Sequence, residues 1–170
     1  MHPAVSGMSR VAALALLLLA AAHSPAVAQA GRQPGGQGEG VAIVVHPDAP
    51  IEALTLDQLR RIFMADQQFW PDGSRITVLV RAPAAYERDV VLNVIYRMTE
   101  DEFRKYWVGK MFRAEVPAGP KIVYSSEMAV ELVTAVPGAI GFVPAGDVIP
   151  GAKVVRIAGR LPGQPGYPLQ

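Results

Sequence analysis

The strand-like run ITVLV (76–80) ends in Arg81. Open α/β sheets bind their ligands at strand ends, so a cation placed there has two readings. Arg81 is either the anchor of an anion site or a surface guanidinium paired with Glu87 or Asp89. A second polar group, Ser125 and Ser126, stands directly before the helical pattern EMAVELVTAV. Hydroxyls and amides at a helix start hold anions, but they also serve as plain caps, and Glu127 already answers the helix dipole in that turn.

Other chemistries are poorly supplied. The chain has no cysteine, which removes disulfides, thiolate metal sites and a cysteine nucleophile together. Of its three histidines, His2 and His23 fall in a segment expected to be removed, leaving His46. One histidine does not make a zinc site or a convincing hydrolase, and no G-x-S-x-G elbow accompanies it. His46 precedes Pro47-Asp48 at a strand end, the usual setting of a solvated loop residue. The sequence therefore predicts no catalytic residue, no metal and no cofactor.

The elements that must position Arg81 and the serines begin after a leader. Arg10 is followed by VAALALLLLAAA and then by Ala26-Val27-Ala28, a small-residue cleavage pattern. This predicts a signal peptide over residues 1–28 and a periplasmic or secreted protein, since the apolar run is shorter than the ~20 residues of a membrane span. Without that leader, which holds Arg10 and no acid, the chain has 15 basic and 15 acidic residues. It carries no basic excess of the kind a nucleic-acid surface needs. Residues 29–40, rich in Gly and Gln, read as a flexible linker; residues 41–159 read as one domain, and residues 160–170 as a flexible tail.

Within the domain, strands and helices alternate. VAIVVH (41–46) is a β-branched run of the kind buried on both faces. Thr55 and Gln58 form a capping box before Leu56, Leu59, Ile62 and Phe63, which share one helical face. FWPDGS makes a turn, ITVLVR a second strand, and a helix over about 86–98 buries Val91, Val94, Ile95 and Met98. A second box, Thr99 to Glu102, opens a helix with Phe103, Tyr106, Trp107 and Met111 on one stripe, expected to be core. KIVYSS is a third strand, Pro137-Gly138 ends the next helix, AIGFVP is a fourth strand and AKVVRIAG a fifth. Strands joined by such helices imply right-handed crossovers, hence an α/β three-layer sandwich with a mainly parallel sheet.

The segments LTLDQLRRIFMADQQFWPDGSRITVLVR, FRKYWVGKMF, IVYSSEMAVELV and VPGAIGFVP, in that order, resemble the phosphate ABC transporter substrate-binding proteins. The resemblance covers nearly all of the folded part. It implies one lobe of a type 2 periplasmic binding protein, a bilobal clamp that holds an oxyanion with backbone amides, hydroxyls and an arginine. Arg81 matches the family's strand-end arginine. The Ser-Gly-Thr that follows in the family falls here on Ala85, Tyr86 and Glu87, so a carboxylate stands beside the expected anion. Its repulsion is on the order of 1 kcal/mol or more.

The ligand-binding set expected from the resemblance is Arg81, Tyr86, Ser125 and Ser126. The expected ligand is a small phosphate-like oxyanion, bound without catalysis. An ABC transporter permease or other envelope protein is the expected partner, with a homo-oligomer or a partner supplying the second lobe. The alternative is a lobe that has lost its ligand and docks on an envelope protein, which Glu87 and the missing Ser-Gly-Thr favour.

Overall fold

The computed structural model describes residues 40–170. The expected signal peptide and all but the last residue of the expected linker lie outside the described residues.

β1 (Val41–Val45) is buried along its whole length and divides two cores. Its alternate residues Val41, Ile43 and Val45 belong to the larger core, and Ala42 and Val44 to the smaller. This alternation is the period-2 geometry of a strand covered on both faces. The larger core is closed by α1 (Leu56–Phe63), α2 (Tyr86–Val91), a π-turn over Leu92–Tyr96 and α3 (Glu100–Phe112). α4 (Ser126–Ala135) covers the opposite face through Ala129, Val130 and Val133. The chain therefore forms the expected α/β sandwich of three layers.

β3 (Thr77–Arg81), β4 (Lys121–Val123) and β5 (Ala139–Pro144) complete the sheet with β6 (Lys153–Val154), in the order β4-β3-β5-β1-β6. β3 runs parallel to both β4 and β5, as helical crossovers require. β1 runs antiparallel to β5 and to β6. No crossover joins β1 to either neighbour as consecutive strands, so the rule that orients β3, β4 and β5 leaves it free.

Both capping boxes form. The Gln58 amide donates to Thr55 Oγ1 at 3.1 Å and the Thr55 amide to Gln58 Oε1 at 2.8 Å. Thr99 and Glu102 repeat the pattern at 3.3 and 2.8 Å. The helix expected over 86–98 departs from its pattern, because the π-turn inserts a residue and directs Leu92, Ile95 and Tyr96 inward, leaving Val94 and Met98 half-buried. Arg97 ends it in the left-handed region at φ 54°. Phe103, Tyr106 and Trp107 pack as expected, whereas Met111 is exposed.

Two expectations near the C-terminus are corrected. AKVVRIAG is not one strand: β6 pairs with β1, after which β7 (Arg156–Ile157) pairs in parallel with the short β2 (Ala53–Leu54) in a second sheet. The backbone switches because Val155 donates to Ile43 O and Arg156 to Glu52 O. Residues 160–170 are not a loose tail either. Tyr167 and Leu169 are buried, the Val41 amide donates to Leu169 O at 2.8 Å, and Tyr167 Oη donates to Val41 O at 2.7 Å. β6 reaches only Val44 and Val45, so the start of a buried strand needed backbone partners and the C-terminal segment supplies them. Gly40, placed in the linker by composition, is likewise buried and bonded to Ala145.

Two substitutions test this account by thermal and denaturant unfolding. Leu169→Ala should cost about 3 kcal/mol, the usual scale for a buried leucine, whereas a loose tail would register no change. Gly138 has φ +81°, and a Cβ there would lie 2.2 Å from Arg75 O. Gly138→Ala should therefore lower the melting temperature by several degrees, although it adds only a methyl group.

Candidate functional site

β3 and β4 are parallel, with Arg81 registered against Val123, so Arg81 and the segment Tyr124–Ser126 leave the sheet at the same edge. The Ala82 amide continues the ladder by donating to Val123 O at 2.8 Å. The turn Ala82–Ala85 then reverses the chain, with Ala84 at φ 71°, and delivers α2.

Arg81 is not a surface cation. Its side chain is 13% exposed and pairs with Glu87, 6% exposed, through Nε and Oε1. Of the two acids anticipated as partners, Glu87 takes the role. Its burial turns the contact from a solvated pair into an internal one. Arg81 Nη1 is also shielded from solvent but has no hydrogen-bond partner.

Arg88, the next residue along, fastens the same strand end by donating from Nη1 to Arg81 O. Its other nitrogens form a fork on Glu100, Nε to Oε2 and Nη2 to Oε1, both at 2.9 Å. The Arg88 guanidinium also lies 4.8 Å from the centroid of Phe103. The hydrogen bond from Arg88 holds the Glu100 carboxyl below its ordinary value, against desolvation. The first turns of α2 and α3 are thereby tied to the end of β3.

The other expected ligand residues have structural partners or face solvent. Ser125 is the N-cap of α4, its Oγ accepting from the Met128 amide at 3.1 Å. Ser126 is buried and donates to Asp147 Oδ2 at 2.7 Å. Asp147 lies in a single 3₁₀ turn after β5, and nothing in its sequence neighbourhood signals that contact. Tyr86 opens α2 and is exposed. The edge thus brings Arg81 together with Glu87, while both serine hydroxyls are engaged elsewhere. Sequence reasoning missed Arg88 and Glu100. Their spacing of 12 residues across the π-turn has no local signature.

The Arg88–Glu100 fork carries a pH signature. The folded-state pKa of Glu100 is depressed, so its contribution to stability is present above the ordinary value of 4.5 and is lost as pH falls through the folded value. Glu100→Gln should lower stability at neutral pH and flatten the acid limb of the stability curve, measured by urea unfolding at successive pH values. An acid limb parallel to that of the wild type would remove this role.

No family model and no curated protein matches the chain. Solved structures do. A phosphate transport receptor of the ABC type from Vibrio cholerae superposes with a TM-score of 0.59 at 23% identity, covering 72% of this chain and 48% of the receptor. A protein from Clostridium perfringens assigned as a phosphate ABC transporter substrate-binding protein, with phosphate bound, gives 0.58 at 21% identity, covering 71% and 46%. PstS from Borrelia burgdorferi gives 0.57 at 14%, covering 72% and 49%. The chain spans about half the length of each of these proteins. At these identities the likeness is one of fold, and the domain has the fold of about half of a phosphate ABC transporter substrate-binding protein.

Proposed function

We propose that this domain is a non-catalytic solute-binding module of the cell envelope that receives a small phosphate-like oxyanion at the Arg81 edge. The observation that carries this reading is Arg81 Nη1, a cationic donor shielded from solvent and without a partner at the C-terminal end of a parallel strand. Open sheets bind ligands at such ends, and the solved structures with the same fold include one with phosphate bound. No helix among the described residues is long and apolar enough to cross a membrane. The export this reading requires rests on the expected leader.

Glu87 sets the strength of such a site. It neutralises Arg81 before any ligand arrives, so an incoming oxyanion competes with a carboxylate already in place. Ser125 and Ser126 would assist only by exchanging their present partners. A second lobe, from another copy or an ABC transporter permease, would exclude water from the exposed side of the anion and strengthen the Arg81 contact.

A specific feature favours a second reading, in which the ligand is lost and the edge docks on an envelope protein. Tyr124 is 74% exposed and Tyr86 is exposed beside the same strand ends. Aromatic residues in such positions anchor protein interfaces.

Melting temperatures of the mature protein with phosphate, sulfate and tungstate separate the two. Oxyanion binding predicts a rise that grows with concentration and corresponds to about 2.7 kcal/mol of added stability at a hundred times Kd. Arg81→Ala should abolish that rise, and Glu87→Gln should improve affinity about tenfold by removing the competing charge. A flat response in both the wild type and Glu87→Gln would overturn the oxyanion reading in favour of docking.

A further inference from the structure

A cleft opens at the other end of the same strands. It has a volume of about 330 Å³ and is lined by the N-terminal residues of β3 and β4, the turn after α3 and one edge of α1's exit. That volume falls in the range of small-molecule pockets. Thr77 and Arg81 bound β3, so the cleft and the Arg81 edge are separated by roughly 13 Å along the strand.

The floor is apolar and fixed. Trp107 is buried, held edge-on by Phe103 at 6.3 Å and by Tyr106 at 5.7 Å. Ile76, Val78 and Val116 extend the apolar wall. One side is the segment Pro117-Ala118-Gly119-Pro120, whose two prolines restrict the backbone and limit the ordering that binding would demand. Gly119 lies over the indole: a Cβ built on it would stand 4.0 Å from Trp107 Cε3 and meet nothing else within that distance.

The charge is one-sided. Arg75 and Lys121 both line the cleft, and no Asp or Glu does. Among the described residues neither cation forms an ion pair. The Arg75 guanidinium only approaches the Phe69 ring, at 5.9 Å. The nearby acids are occupied, Asp66 by Lys110 and Glu115 by Arg113 and Lys110. An apolar floor bordered by two uncompensated cations complements one class of ligand, a small carboxylate with a flat apolar body. The body packs in the cleft against Val78 and the edge of Trp107 that lines it, and the carboxylate accepts from Arg75 and Lys121, the guanidinium donating in a fork.

We propose that this cleft is a binding site for a small aromatic carboxylate, separate from the Arg81 edge. The test uses benzoate as the probe and the Trp107 indole N–H as the reporter in a heteronuclear NMR titration. The chain has two tryptophans, so Trp70→Phe assigns the two indole signals. Benzoate should shift the Trp107 signal with saturation. Benzamide, which lacks the charge, and acetate, which lacks the body, should bind at least tenfold more weakly.

Gly119→Leu should abolish the response by placing a side chain across the indole. Arg75→Gln and Lys121→Gln should each weaken benzoate about tenfold. The readout is the Trp107 signal and the probe is benzoate, whereas the oxyanion screen reads melting temperature through the Arg81 edge, so the two proposals fail separately. Should Gly119→Leu fail to fold, the double variant Arg75→Gln/Lys121→Gln carries the test, since both side chains are exposed. A wild-type protein that does not respond to benzoate, equal binding of benzamide, or undiminished binding by the double variant would each overturn the proposal.

Discussion

A guanidinium enclosed at the end of a strand must be met by an acid, and in this domain that requirement organises everything around β3. Glu87 meets it from the first turn of α2. The pair is enclosed enough that removing one partner would leave a charge with poor solvation, a loss of about 3–5 kcal/mol in comparable buried pairs. Arg88 then binds the carbonyl of the same Arg81 and carries the constraint to Glu100 at the start of α3. The strand end, the short helix and the long helix are thus fixed by alternating charges, while apolar packing acts beneath them through Phe103, Tyr96 and Phe63. Tyr96 joins the two systems, donating from Oη to Phe63 O at 2.9 Å within the larger core.

The same pair decides what the edge can do. An arginine that waits for an anion in an open site is ordinarily hydrated, and the ligand replaces water. Here Glu87 occupies the Nε side of Arg81, and the solvent-shielded Nη1 has no partner. A ligand at this edge would therefore share the cation with Glu87 or displace it. Either route makes affinity depend on what covers the exposed side.

Much of this was legible in the sequence where a local pattern dictates structure. Thr55 with Gln58 and Thr99 with Glu102 announce their helices because a capping box is closed within four residues. Val41–Val45 reads as a two-faced buried strand because five consecutive apolar residues admit little else. The arginine at the end of β3 and its acid in the following turn were also within reach. What escaped depends on distant pairing. The reversal of β1 is set by its ladder with β5, about a hundred residues on, and β2 is a strand only because β7 lies beside it. The C-terminal segment reads as loose by composition, since Pro and Gly suppress regular structure. Yet Tyr167 and Leu169 pack into the core and satisfy the backbone of Val41. Ser126 shows the limit at the site itself, its hydroxyl bonded to Asp147 rather than held open.

Charge compensation also separates the two ends of β3. At the C-terminal end a cation is half-buried and already paired with a buried acid of its own chain. At the N-terminal end Arg75 and Lys121 are exposed, unpaired with any described acid and placed beside a rigid indole. Coulombic attraction for a free anion at the first end is reduced by the resident carboxylate. At the second it is weakened only by solvent, and the apolar floor adds a contribution that solvent does not screen. An anion without an apolar body gains little at the second end, where solvent screens the two cations. The two ends of the strand therefore favour different anions, and the difference follows from where the sequence places Glu87 and Trp107.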